Sequence, residues 1–269
     1  MDARAIGVFD SGLGGLTTVK RLTELLPGED IIYLGDTGRV PYGSRSRETI
    51  IKYSCQAADF LTGFDIKAMV IACNTSSATA YETLVSSYSV PIYEVVSAPV
   101  QAAVKNTNIG RIGVIGTSAT IKSGAYEIAI KRIVSDMIVI SGSCPLFVPL
   151  VENGRFAEED IATFAIAEDY LSNLRDSGID TLILGCTHYP LLRNVISKVM
   201  GPEVTLIDSG AETAKLVAND LRQKDMLAPS KSKGAIKYFV TDSTEGFAEL
   251  ASLYLEANVH GLVEQIELE

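Results

Sequence analysis

The chain has 269 residues, 47% hydrophobic and 21% charged, with a formal net charge of −10. That size suits one large or two medium domains with a sizeable core, and the composition excludes extensive disorder. The acidic balance argues against general binding to nucleic acid or an anionic membrane surface; an anionic small substrate is still compatible, because backbone N–H groups can hold it.

Met1-Asp2-Ala3-Arg4 leads directly into a predicted strand at 6–9, without a signal-peptide pattern. That strand ends at Asp10-Ser11-Gly12-Leu13-Gly14-Gly15, and a helix over 16–26 stops at Pro27-Gly28. A strand at 31–34 closes on Gly35-Asp36; a loop over 37–46 carries Arg39, Pro41, Tyr42 and Gly43; a helix covers 47–61. The apolar run 68–72 then delivers Cys73-Asn74-Thr75-Ser76, and a helix follows over 76–88. Residues 91–96 form the next strand, and Ser97-Ala98-Pro99 opens a helix.

The pattern then restarts. Ile112-Gly113-Val114-Ile115-Gly116-Thr117-Ser118 echoes the first strand and its Asp10-Ser11 end. A helix over 121–133, a strand at 137–140, a loop over 144–154 and a helix over 158–174 follow. A second apolar run ends at Gly185-Cys186-Thr187-His188-Tyr189-Pro190, where Pro190 marks a first helical turn running on to 200. The strand 204–208 ends at Asp208-Ser209-Gly210. Asp10 thus registers with Gly116, Cys73 with Cys186 and Ser97 with Ser209, an internal repeat. A helix over 212–224, a strand at 236–240, a helix over 246–255 and a short strand within 263–268 complete the chain.

Alternating strands and helices predict parallel α/β sheets, with ligands beyond the carboxyl ends of the strands. We expect two pseudo-symmetric parallel-sheet α/β domains facing each other across a cleft. Residues 1–97 plus 209–269 form the first, discontinuous domain, which carries Cys73; residues 98–208 form the second, which carries Cys186. No apolar run reaches the roughly 18 residues of a membrane span. The four cysteines show no close spacing, as in cytosolic thiols rather than a disulfide framework. A cytoplasmic protein is expected, and a homodimer, the commonest closed assembly.

Two thiols at matching strand ends suit proton removal from one face of a carbon and return on the other. One group must start deprotonated and its partner protonated, and an ordinary thiol pKa near 8.5 lies within reach of neutral pH. Asp10 is a candidate proton acceptor for Cys73, while His188 and Glu152 are candidates to serve Cys186. A carboxylate alone raises a thiol pKa and an imidazolium lowers it. Ser11, Asn74, Thr75 and Thr187 supply hydroxyl and amide contacts. Cys55 and Cys144 read as packing, Asp36 as a turn or helix cap, and His260 as surface.

Competing chemistries leave signatures too. A cysteine hydrolase would use Cys186 with His188 and leave Cys73 dispensable. A metal site from Asp10, Cys73, Cys186 and His188 lacks compact ligand spacing, so none is expected. Gly12-Leu13-Gly14 suggests a dinucleotide loop, but Thr17 stands where the third glycine or alanine belongs.

Phe9-Asp10-Ser11-Gly12-Leu13-Gly14-Gly15, Gly35-Asp36-Thr37, Pro41-Tyr42-Gly43, Ala72-Cys73-Asn74-Thr75, Val151-Glu152-Asn153-Gly154 and 185–192 occur in this order. Together they resemble the glutamate racemases of the aspartate/glutamate racemase superfamily, over essentially the whole chain. The resemblance implies interconversion of L- and D-glutamate without a cofactor, supplying D-glutamate for peptidoglycan. It implies Cys73 and Cys186 as the proton donor/acceptors, with Asp10, Glu152 and His188 as supporting groups. Asp10, Ser11, Tyr42, Gly43, Asn74, Thr75, Thr187 and His188 resemble the substrate contacts. Tyr42 and Gly43 also read as ordinary turn residues after Pro41.

Overall fold

The strands that carry the apolar runs lie inside two parallel sheets. In a computed structural model that describes residues 1–229 and 233–268, β1 (Ala5–Asp10) pairs in parallel with β2 (Ile31–Gly35) on one side and β3 (Ile66–Ile71) on the other. Residues 230–232 and 269, which the expected first domain includes, lie outside the described residues. β4 (Ile92–Glu94) extends that sheet beyond β3. In the second sheet β5 (Arg111–Gly116) lies between β6 (Ile138–Ser143) and β7 (Thr181–Gly185), with β8 (Thr205–Asp208) beyond β7. The strand order β2-β1-β3-β4 is repeated as β6-β5-β7-β8, so the internal repeat is a repeat of topology. β9 (Ile236–Val240) joins β2, and β10 (Val263–Gln265) joins β9 at the edge of the first sheet.

All six residues of β3 and all five of β7 are buried. Helices cover both faces of such sheets, which is why these strands read as unbroken apolar runs rather than alternating ones. Each fully buried Val, Leu or Ile contributes about 1.5–3 kcal/mol relative to exposure.

The helices of the first half are α1 (Leu16–Leu25), α2 (Arg47–Thr62) and α3 (Asn74–Ser87), with α4 (Ser97–Asn106) leaving β4. The second half has α5 (Ser118–Ser123), α6 (Ala125–Ile133), α7 (Phe147–Glu152), α8 (Ile161–Asp176) and α9 (Arg193–Met200). α10 (Ser209–Gln223) leaves β8, and α11 (Thr244–Leu255) lies between β9 and β10. α4 packs on α6, β7 and β8, whereas α10 packs along α1. Each half therefore sends its last helix onto the other half.

Three local readings are corrected. The single helix expected over 121–133 is two helices, because Gly124 takes a left-handed φ of 67° that caps α5. The expected loop at 144–154 contains α7, whose Phe147, Val148 and Val151 are buried. Pro149 is accommodated in its first turn, where backbone N–H groups have no intrahelical acceptor. The helix expected from 190 begins as a 3-10 turn at Tyr189–Leu192 before α9.

Candidate active site

Asp10 is the last residue of β1 and is fully buried. Its Oδ2 accepts the Gly12 N–H at 2.9 Å, while Oδ1 has no hydrogen-bond partner among the described residues. Burial pushes its carboxyl up; His188 and the N–H groups of Gly15, Gly12 and Ser11 pull the other way. Cys73, two residues past β3, is 4% exposed and caps α3, its Sγ accepting the Ser76 N–H at 3.4 Å. The same thiol donates to Ser11 Oγ at 3.3 Å. Burial first, and the Asp10 charge second, push the Cys73 thiol up to about 11, so it keeps its proton at neutral pH.

The other thiol has a different surround. Cys186 follows β7 directly and is 5% exposed, its Sγ 3.9 Å from His188 Nδ1. His188 Nε2 lies 3.2 Å from Glu152 Oε1 at the end of α7. Burial pulls the imidazole down, but the Cys186 sulphur and Glu152 outweigh it and raise His188 to about 10. His188 is therefore an imidazolium at neutral pH, and both ring nitrogens are donors. Thr187 is buried; its Oγ1 lies 3.4 Å from His188 Nδ1, and its carbonyl accepts from Thr17 Oγ1 of α1 at 3.1 Å.

Close approach brings the two sets together. A Cβ on Gly14 would lie 2.1 Å from Thr187 Oγ1 and 2.6 Å from His188 Nδ1. Only glycine lets the loop after Asp10 close on His188, and Asp10 sits in the field of that imidazolium.

Asn74 and Thr75 bind across the halves instead of standing free. Asn74 Nδ2 contacts Tyr126 Oη at 2.7 Å, Ser209 Oγ at 3.1 Å and Val95 O at 3.4 Å. Tyr126 donates to Val95 O and Ser209 donates to Leu184 O, so both hydroxyls must accept from the Asn74 amide. That fixes which amide atom is the nitrogen and leaves Asn74 Oδ1 buried without a partner among the described residues. Thr75 Oγ1 lies 2.9 Å from Thr117 Oγ1 and 3.3 Å from Thr120 Oγ1. Gly43 abuts the same threonine; a Cβ there would lie 2.6 Å from Thr117 Cβ. Tyr42 is buried against Cys73, but its hydroxyl donates to Asp36, which also holds Arg39 Nε at 2.7 Å and Thr241 Oγ1 at 2.8 Å.

The structure thus gathers Asp10, Ser11 and Cys73 in one cluster and Glu152, Cys186, Thr187 and His188 in another. Thr117 and Tyr126 were missed. Thr117 had a signal: in the repeat it stands where Ser11 stands in the first half. Tyr126, inside an ordinary helical pattern, had none. Cys144 is buried packing, its thiol pushed up to about 12 by burial and then by Cys186. Among the described residues, no group of three or more His, Cys, Asp or Glu is arranged to hold a metal ion, and no helix is long and apolar enough to cross a membrane.

Two parallel α/β sheets share one strand order, and in each a cysteine follows the matching strand. Residues 6–217 match the Asp/Glu/hydantoin racemase family, and the chain belongs to that family of isomerases. It is 48% identical over 269 residues to a glutamate racemase of Geobacter metallireducens, covering 100% of this chain and 98% of that one. A crystal structure of a glutamate racemase isoform from Bacillus anthracis superposes with a TM-score of 0.94 at 39% identity, covering 100% of this chain and 99% of the other. The glutamate racemase of Francisella tularensis in complex with D-glutamate gives 0.92 at 39% identity, with the same coverage.

Proposed function

We propose that the protein interconverts L- and D-glutamate by two-base proton transfer at the α-carbon, with no cofactor, and supplies D-glutamate for peptidoglycan. The carrying observation is that each thiol follows the same strand of the repeat and has its own acid/base company. Cys73 has Asp10; Cys186 has the His188–Glu152 pair. The names of the similar proteins support glutamate as the substrate.

In this reading one sulphur takes the α-proton while the other delivers a proton to the opposite face, and the two states are exchanged after turnover. Positioned acid/base groups contribute about 10²–10⁴-fold. Cys73 supplies a proton at neutral pH, and the His188 imidazolium is the counter-charge on the Cys186 side. The unpartnered Asp10 Oδ1 accepts the substrate ammonium. First-turn N–H groups of α3, with Ser11, Thr75 and Thr187, hold the α-carboxylate. Tyr42 and Gly43 contribute backbone and shape, since the Tyr42 hydroxyl is engaged by Asp36.

We further propose domains 1–97 plus 209–269 and 98–208, supported by sheet membership and by the exchange of α4 and α10. A cytoplasmic homodimer completes the reading; light scattering of the purified protein tests the dimer.

The decisive assay incubates the protein with L-glutamate in D₂O without pyridoxal phosphate or added metal. Loss of the α-proton NMR signal together with decay of the circular dichroism to zero is expected. Reaction of aspartate alone would move the substrate; exchange of neither would sink the reading. The Cys186–His188–Glu152 relay also fits a cysteine hydrolase, which would form a trappable acyl-enzyme and tolerate loss of Cys73.

A further inference from the structure

Two grooves flank the buried thiols, and their charges are opposite. One, of about 280 Å³, is lined by Glu152 and Asp242 together with Gly12, Leu13 and Val40, and no cation lines it. The other, of about 450 Å³, is lined by Arg45, Arg47 and Lys122, and no carboxylate lines it. All three cations are exposed, and among the described residues their side chains make no ion pair; Arg47 acts at longer range on its neighbour Glu48. In a chain of net charge −10, three cations in one groove that no carboxylate lines are a local reversal of sign.

The cationic groove lies over the seam between the halves. Arg45, Arg47 and Ile50 come from the first half; Ala119 and Lys122 come from α5 of the second. Beneath it is a thin wall: buried Ile50 packs in one cluster with Tyr42 and Cys73, and Ala119 packs against that cluster. The joint to be parted is short, made by Gly43 on Thr117 and by Thr75 with Thr117 and Thr120.

We propose that this groove is the route by which the anionic substrate reaches Cys73, with Arg45, Arg47 and Lys122 as its electrostatic funnel. The inference rests on the reading of a net-negative dicarboxylate substrate. Such a molecule is repelled by Glu152 and Asp242 at the other groove and drawn by the cations at this one. Clefts lined by one sign of charge raise association rates about 10–10³-fold, and the effect weakens with salt.

A pair of thiol reagents of nearly one size tests it on the intact protein. Iodoacetate is an anion and iodoacetamide is neutral; each loses iodide to the sulphur, so the ratio of their rates at one thiol cancels its intrinsic reactivity. Loss of unmodified Cys73 is followed by peptide mass spectrometry, which also separates it from Cys55. In the wild type the iodoacetate/iodoacetamide ratio should fall as salt rises. In the Arg45→Gln/Arg47→Gln/Lys122→Gln variant the low-salt ratio should drop about tenfold and lose its salt dependence. The neutral reagent should react at the wild-type rate, which also reports that the variant is folded. Asp242→Lys should leave the ratio unchanged. A triple variant with the wild-type ratio and salt slope would overturn the proposal, as would an Asp242→Lys ratio raised tenfold, which would put the anion's route through the other groove. The ratio needs no turnover of glutamate, so it stands or falls apart from the racemase reading.

Discussion

His188 and Glu152, 36 residues apart in the chain, meet with Nε2 3.2 Å from Oε1, and the imidazole's other nitrogen faces the Cys186 sulphur at 3.9 Å. A buried imidazole would ordinarily be neutral; here the Cys186 sulphur and Glu152 outweigh burial and raise it to about 10. Replacing Glu152 by glutamine removes one of them. We expect the alkaline limb of the pH–activity profile to move to lower pH in Glu152→Gln, by more than in a surface control. NMR titration of His188 should show the same direction. An unmoved limb would mean that the carboxylate does not hold the proton on the ring.

The same shift has a stability consequence. The folded value is raised above the unfolded value near 6.5, so the folded state binds the extra proton. The contribution is complete below about pH 6.5 and is lost as pH rises through about 10. Urea midpoints of the wild type should therefore fall over that window more steeply than those of His188→Asn. Parallel curves would contradict the assignment.

Loss of either thiol should be close to complete for racemisation but unequal for exchange. Cys73→Ala and Cys186→Ala are each expected to lower racemisation by about 10²–10⁴-fold. Each remaining thiol can still remove and return a proton on its own face. Each variant should therefore wash deuterium into one enantiomer with retention, and the two variants should prefer opposite enantiomers. Retention of the same enantiomer by both would place both sulphurs on one face.

Tyr42→Phe separates packing from substrate contact. The hydroxyl bonds Asp36, which also carries Arg39 and Thr241. The variant should lose about 1–3 kcal/mol of stability, because a buried carboxylate loses a donor, while KM stays within about twofold of wild type. A large rise in KM with unchanged stability would reverse that picture.

The Asn74 knot should behave as one unit. Tyr126→Phe and Ser209→Ala each remove an acceptor from the same amide nitrogen. Each should cost about 1–3 kcal/mol by urea unfolding, and the double variant should depart from additivity by about 0.5 kcal/mol or more. Strict additivity would mean that the two hydroxyls do not share the amide.

Much of this architecture was legible along the chain because its causes are local. Strands buried on both faces must be continuously apolar, so β1, β3, β5 and β7 were visible as runs. A ligand site beyond strand ends draws small, polar and thiol side chains into the residues just after those runs, so Asp10, Cys73 and Cys186 stood out. The matched positions of Asp10 with Gly116, Cys73 with Cys186 and Ser97 with Ser209 anticipated two sheets of one strand order.

Other features depended on partners far away in sequence. Nothing beside Asn74 announces that its amide is taken by Tyr126 and Ser209, and nothing beside Tyr42 announces that Asp36 takes its hydroxyl. α7 is only six residues long and was read as part of a loop; burial of Phe147, Val148 and Val151 against the second half is what holds it. His188 is raised by the nearby Cys186 sulphur and by Glu152, which α7 brings to it from far away in the chain, and Gly14 must be glycine only because Thr187 and His188 close on it. By itself the sequence determined most of the strands and helices and which chemical groups stand at the strand ends, since backbone geometry and burial act residue by residue. Tertiary structure alone decided which of those groups share a dry space, and charge and hydrogen bonding across that space set their protonation and their company.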